Sequence, residues 1–420
     1  MTMTLPNSHK IVVIDDKLEE VSLLLSSLSK KGIGFLYFNE KLEQLPATPL
    51  QGIRIVFSDI DLVGAKDDKT KISALIGVLK KIISPDNGPY IIVFWTKHSD
   101  LINAIETQWN KEGVPPLKYL CIEKSSCQDK YGQYSMELID KEIQEQTKEF
   151  QAFNFYLDWE NALVNTGESF IRKFHNLVPR DQNWSHNICH LLYRMFLADS
   201  GDVDKAFTPS EQFSIACRLF NKSFNNELDC NTAQIHLPRE IPPAMKGSVS
   251  PHQIVADINS FLWIHNIESS VVVPGEVNIV TNDFLKYNIL NRLFKGTKIK
   301  SDEVALAKII VTPSCDIAQG KLFKNDKGHC LHRVVYAVIL ESSIVYSHRD
   351  ASFYYQFGPF LLNGKNVRMH FHFGTLDSEY IPDVHVAPLF VIKQEIVFDI
   401  QSKIANHMNR LGNSLLDFKI

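Results

Sequence analysis

Arg54-Ile-Val-Phe-Ser-Asp-Ile-Asp-Leu-Val-Gly64 passes from a β-branched apolar run into acids and a glycine, the mark of a buried strand that empties into a loop. Ile53, Ile55, Val56 and Phe57 supply the strand, and Asp59 is carried out at its end. Open α/β sheets bind ligands beyond the carboxyl ends of their strands. Asp59 is therefore the first candidate site residue.

The flanking segments repeat the same logic. Lys10-Ile-Val-Val-Ile14 reads as a strand that stops at Asp15-Asp16. Leu18, Val21, Leu24, Leu25 and Leu28 recur at helical spacing up to Lys30-Lys31-Gly32, a basic and glycine-marked helix end. Gly34-Phe-Leu-Tyr-Phe38 reads as a second strand. Beyond Asp59, Ile72, Leu75, Ile76, Leu79 and Ile82 predict a helix that ends at Pro85-Asp-Asn-Gly88. Tyr90-Ile-Ile-Val-Phe-Trp95 lacks alternation, as a strand covered on both faces should. Ile102, Ile105 and Trp109 predict another helix, and Leu117 to Ile122 a fifth strand. Strands alternating with helices imply an α/β, flavodoxin-like, doubly wound parallel five-stranded sheet.

Polar residues fall at its strand ends: Asp15 and Asp16 after the first, Asp59 after the third, Thr96 after the fourth and Lys124 after the fifth. In a flavodoxin-like order these ends converge. Carboxylates crowded into one small pocket repel each other unless a hard cation sits among them, and oxygen ligands suit Mg²⁺. A phosphoryl group is the natural further ligand. Asp59 is placed to attack phosphorus, with Thr96 and Lys124 holding the transferred oxygens.

This pattern resembles the receiver domain of bacterial two-component response regulators, over about the first 130 residues. The resemblance implies that Asp15 and Asp16 are the acid pair, Asp59 the phosphoacceptor, Thr96 the switch hydroxyl and Lys124 the phosphate-binding lysine. It further implies that Asp61 completes the Mg²⁺ shell through its carbonyl, and that a histidine kinase or other phosphodonor is a partner. The sequence departs from the family at Val63, Lys97, Cys121 and Ser125, where a proline, a small residue, an aromatic and a proline are usual. Without the aromatic, the coupling of Thr96 to an aromatic rotamer is not implied. Lys97 either recruits phosphate or replaces its charge, as in a pseudo-receiver.

Length and composition set outer limits. The chain of 420 residues is 45% apolar and 22% charged, a globular composition with room for about two or three domains. A formal net charge of −4 gives no general pull toward nucleic acid, which leaves that partner open. Seven cysteines without a repeated spacing point to reduced thiols. The N-terminus has no basic signal-like region, and no apolar run approaches the roughly 18 residues of a membrane span. The expectation is a cytoplasmic protein without a membrane partner.

After Lys124 the composition shifts. Met136, Leu138, Ile139 and Ile143 begin an amphipathic connector, and aromatics at helical spacing continue through Phe150 to Phe174, Ile188 to Leu197 and Phe213 to Phe220. His186, Cys189 and His190 have one-turn zinc spacing but lack further ligands. Arg180 and His186 match the loose Arg-x5-His spacing of HEPN-type ribonucleases. Leu237-Pro-Arg-Glu-Ile-Pro-Pro243 and the segment to Pro251 mark a boundary. Beyond it Ser270 to Val280, Ala307 to Thr312, Arg333 to Leu340 and Val367 to Phe373 read as strands, closed by a helix from Ile392 to Leu411, which suggests a small barrel or sandwich. The Pro-Gly-Glu-Val opening faintly resembles PemK/MazF-type toxin barrels. Cys315 with Cys330, His329 and His332 reads either as a soft-metal set for zinc, as a nucleophile with its base, or as a buried thiol beside unrelated histidines.

The sequence thus predicts a receiver-like domain at 1–130, a helical connector at 131–250 and a β-rich, barrel-like output domain at 251–420. The expected function is a response-regulator-like signalling protein phosphorylated on Asp59, pairing as a homodimer or with a protein partner. No helix-turn-helix signature favours a DNA-binding output. The alternatives are an effector nuclease, HEPN-like or toxin-barrel-like, held by the receiver or a pseudo-receiver in a bacterial conflict or phage-defence system, and a non-enzymatic adaptor.

Overall fold

The structure, a computed structural model, describes residues 10–39, 41, 44–64, 67–96, 98–127, 135–147, 151–200, 207–233, 235, 250–265, 272–294, 304–318, 321–343, 354–382 and 387–411. The chain divides into two compact units, one drawn from 1–167 and 228–240 and the other from 168–227 and 241–420.

The first unit is built on strands β1 (Ile11–Ile14), β2 (Phe35–Phe38), β3 (Ile55–Ser58), β4 (Ile91–Thr96) and β5 (Lys118–Glu123), with helices α1 (Leu18–Lys30), α2 (Asp68–Ile82) and α3 (Ile102–Glu112) between them. The sheet order is β2-β1-β3-β4-β5, and every pairing is parallel. All six residues of β4 are buried, which explains its unbroken apolar run. Alternation sorts the strands between two cores. Val12, Ile14, Val56, Ile92 and Phe94 meet Leu75 and Leu79 of α2 and Ile105 and Trp109 of α3. Val13, Phe57, Val93 and Trp95 meet Val21, Leu24 and Leu28 of α1. That second face is completed by Ile139 from α4 (Met136–Thr147) and Phe153 from α5 (Gln151–His175). The flavodoxin-like α/β expectation holds at this level.

Helix α2 starts and stops for local reasons. The Asp67 carboxylate caps α2 by accepting from the Thr70 N–H at 2.9 Å, and Lys80 and Lys81 complement its last turn. On the amide-donating side of the sheet, Arg54 grips Glu160 of α5 through Nη2 at 2.6 Å and Nε at 3.0 Å, and Lys10 adds a third contact at 3.0 Å. Phe153, partly buried Leu157 and Glu160 thus fasten one stripe of α5 to the sheet.

In the second unit, α6 (Trp184–Ser200) and α7 (Pro209–Thr232) share a small core of Phe196, Ile215 and Ala216. Phe170 lies edge-on to Phe220 and Phe224 at 4.5 and 6.0 Å between centroids. The β-rich part contains α8 (Pro251–Trp263), β6 (Ile264–His265), β7 (Glu276–Ile279), α9 (Asp283–Leu293), β8 (Ala305–Ile310), α10 (Ser314–Ala318), β9 (Cys330–Glu341), β10 (Tyr354–Leu362), β11 (Lys365–His372), β12 (Asp377–Ile381), β13 (Phe390–Ile392) and α11 (Gln394–Leu411). Its antiparallel sheet runs β10-β11-β9-β8-β7-β13-β6, with β12 also on β9. The long β9 gives one edge to β8 and divides the other between β11 and β12. One face packs on Val397, Ile400 and Ile404 of α11, the other on Ile289 and Leu293 of α9.

The sheet curls, and α8 links its two ends. This helix leads directly into β6, while its Asn259 amide donates to Pro359 O and its Ser260 hydroxyl accepts from Leu361 N on β10, both at 2.7 Å. The expected strand from Ser270 to Val280 shortens to Glu276–Ile279, because Pro274-Gly275 turns the chain. Gly275 takes φ +89°, and a Cβ there would stand 2.2 Å from Ile392 O, so only glycine fits.

Candidate functional site

Backbone hydrogen bonds between neighbouring strand ends bring the acids together. The Asp59 N–H donates to Ile14 O at 2.9 Å, and the Asp15 N–H donates to Phe38 O at 3.2 Å. The Tyr37 hydroxyl donates to Asp15 O at 2.8 Å, which fixes this turn further. The carboxylates are themselves aimed: Asp15 Oδ1 accepts from Lys17 N at 2.9 Å, and Asp59 Oδ1 accepts from Ile60 N at 2.8 Å. Glu20, the third residue of α1, completes the group. One carboxylate oxygen from each of Asp15, Glu20 and Asp59 lies within 4.8 Å of the others.

The surroundings make this charge expensive to leave unbalanced. Asp15 is fully buried and Asp59 is 9% exposed. Val13, Val21, Leu24, Phe57 and Trp95 line the floor with apolar surface, which strengthens electrostatic interactions at the acids. Lys17 Nζ stands 3.3 Å from Glu20 Oε1. Its hydrogen bond and charge pairing with Glu20, with smaller contributions from Asp16 and Asp59, hold its pKa above the ordinary lysine value. Oxygens on opposite sides of a Mg²⁺ ion are about 4.2 Å apart, given bonds of about 2.1 Å. Around Ca²⁺ the same separation is about 4.8 Å, so the acid group is of a size to hold one hard cation, Mg²⁺ or the larger Ca²⁺.

Of the carboxylates expected from sequence, Asp15 and Asp59 belong to this trio and that of Asp16 does not, while Asp61 is expected to contribute its carbonyl, not its carboxylate. Asp61 turns one carboxylate oxygen to Lys71 Nζ of α2 at 3.4 Å. Its Oδ1 is buried with no hydrogen-bond partner. Thr96 ends β4 fully buried, its Oγ1 accepting from His98 N at 3.1 Å. Lys124 opens a short 3-10 turn, Lys124–Cys127, immediately after β5. The Lys124 side chain and Lys97 lie outside the described residues. Cys121 pairs with Phe94 across β4 and β5, and burial raises its thiol pKa.

The remaining sequence candidates are not gathered into a centre. His186, Cys189 and His190 are all exposed on α6, and Arg180 donates to Asn176 Oδ1 at 2.7 Å. Cys315 is exposed and Cys330 half-buried. Buried His332 engages Thr312 Oγ1 through Nδ1 at 3.3 Å. Among the described residues, Asp15, Glu20 and Asp59 form the one set of three His, Cys, Asp or Glu ligands this close, so the Cys315, Cys330 and histidine set for zinc is not assembled.

Fold and site define a class: a parallel α/β sheet in the flavodoxin-like order with an acidic, cation-sized group at the carboxyl ends of its first and third strands. The chain matches no protein-family model, and a search of curated proteins finds no match in sequence. No helix among the described residues is long and apolar enough to cross a membrane.

Proposed function

We propose that the first unit is a receiver-like phosphoryl switch, and that the state of Asp59 controls an output carried by the curled, barrel-like C-terminal sheet. The observation that carries this reading is the convergence of Asp15, Glu20 and Asp59 at the strand ends. Asp15, Glu20 and Asp59 would hold Mg²⁺, which supplies charge neutralisation for phosphoryl transfer. An Asp59 carboxylate oxygen forms the new P–O bond as the bond from phosphorus to the imidazole nitrogen of a phosphorylated histidine kinase, or to the carboxylate oxygen of a small acyl phosphate, breaks, and the departing imidazole or carboxylate keeps that electron pair. Asp15 and the Ile60 N–H orient the nucleophile, and the Thr96 hydroxyl donates to a transferred oxygen. Lys124 is proposed as the second phosphate contact.

The route onward is supported by packing. Trp95 lines the acid site and belongs to the same core as Ile139 of α4 and Phe153 of α5. Phosphorylation adds about two negative charges beside Lys17 and the acids. Such a local change biases packed elements between arrangements. Homodimerisation, or pairing with another protein, is the proposed readout in a cytoplasmic signalling system.

The test uses beryllofluoride, an acyl-phosphate mimic, with Mg²⁺. Hydrogen exchange across residues 135–147 and 151–160 should change in the wild type and stay constant in Asp59→Asn. Mimic binding to Asp59, seen by fluorine NMR, without any exchange change would remove the coupling. Equal responses in both proteins would remove the site.

A further inference from the structure

The second unit carries a polar row with no place in the Asp59 chemistry. On β11, Asn366, Arg368, His370 and His372 alternate with Val367, Met369 and Phe371. The apolar three enter the core shared with α11, which puts the polar four on the opposite face. His370 is 2% exposed, lies edge-on to Phe294 at 5.3 Å and bonds the Tyr354 hydroxyl. A fully solvated strand face would not bury this imidazole.

Arg368 is the unexplained member. Its neighbour on β9 is Leu340. On β10 the register passes from Phe357 opposite Met369 to Phe360 opposite Val367, leaving the bulge residues Gly358 and Pro359 beside it. No polar side chain thus stands directly opposite it, and on β10 the Tyr354 hydroxyl is close enough to feel its charge. Among the described residues its Nε is buried without a hydrogen-bond partner, and so are Asn366 Oδ1 and Ser342 Oγ. These three atoms share one corner. The Ser342 N–H donates to Asn366 O at 2.8 Å, Asn366 and Arg368 are two positions apart on one face, and Ser342 is two positions beyond Leu340. Glu341, next to Ser342 in sequence, alternates to the other face and pairs with Lys365 Nζ at 2.6 Å.

Partly buried cations in proteins are ordinarily paired, and adjacent buried polar groups are ordinarily satisfied. We propose that Arg368, Ser342 and Asn366 form a binding site for a phosphate group. The half-exposed guanidinium supplies a planar fork of donors, the Ser342 hydroxyl adds another, and a half-turn of the Asn366 amide presents its NH₂. More than two donors match the several oxygens of phosphate better than the pair on a carboxylate. Bulges often lie beside sites where a side chain is re-aimed, and the Gly358–Pro359 bulge removes side-chain competition at this one.

Calorimetric titration of the full chain, in an Asp59→Asn background without divalent cations, separates this site from the acidic one. The probes are inorganic phosphate and adenosine 5′-monophosphate. Binding at one equivalent is expected, weakened about tenfold or more by Arg368→Gln and about threefold by Ser342→Ala. Arg368→Lys should fall between parent and Gln, which keeps the test valid if the Gln variant unfolds. Tighter binding of the nucleotide assigns the group to a nucleotide ligand, and tighter binding of inorganic phosphate to the free anion. Equal titration of parent and variants, or no binding of either probe by the parent at about 10 mM, overturns the proposal.

Discussion

Glu20 and Lys17 set the charge balance at the acids. Asp15 and Asp59 were legible because each ends an apolar run, so their side chains leave the sheet at a known edge. Glu20 was not, because its direction depends on how the β1 to α1 junction turns, and no periodicity spans a junction. Its available signal was an acid in the first turn of the helix that follows the first strand. A carboxylate so placed should matter to cation affinity, and a lysine 3.3 Å from it should oppose binding. Glu20→Gln is expected to weaken Mn²⁺ or Mg²⁺ binding by about tenfold, and Lys17→Met to strengthen it by about threefold. Tryptophan fluorescence reads both titrations because Trp95 lines the site, and Trp95→Phe identifies its signal. Weaker cation binding in Lys17→Met would contradict the charge balance described.

The elements show where periodicity informs and where it fails. Helices α1, α2 and α3 follow from their apolar spacing, as does the buried run of β4. In the second unit β10 was missed because its Gly358-Pro359 pair reads as a turn, although it forms a bulge within a continuing strand. Strand β12 is five residues with exposed polar positions, and β13 only three, too short for a pattern. Helix α8 falls in the stretch expected to be β-rich, and the apolar residues of α9 are spread around its circumference. Burial alone pushes the Glu160 carboxyl on α5 up, but the hydrogen bonds and charges of Arg54 and Lys10 outweigh it and hold its pKa below the usual range. A depressed folded pKa stabilises fully above the unfolded value, near 4.3, and that contribution is lost as pH falls through the folded one. Glu160→Gln should therefore cost about 1–3 kcal/mol at neutral pH, and the difference from wild type should shrink below about pH 4. Urea unfolding of both proteins across that range measures it. A pH-independent difference would assign the loss to packing instead of charge.

Across the whole molecule, the sequence boundaries follow changes of composition near 130 and 250, whereas the compact units divide inside α5 and α7, of 25 and 24 residues, and again between 240 and 241, within the proline-marked segment 237–243. A division within a continuous helix has no loop to mark it, and Gly167 at the first of these reads as an ordinary helix residue. Two members of the acid group, Asp15 and Asp59, were legible from the ends of the first and third strands. The sequence read the C-terminal part as a small barrel or sandwich without its strand order, because the curl of the sheet depends on α8 meeting β10 from about 100 residues away in sequence. The most direct measurement of the central claim is intact-mass spectrometry after incubation with acetyl phosphate and Mg²⁺. Wild type should gain the mass of one phosphoryl group, lose it under base as an acyl phosphate does, and lose it entirely in Asp59→Asn. Equal labelling of wild type and Asp59→Asn, or an unlabelled wild type that remains folded and binds the cation, would contradict the account.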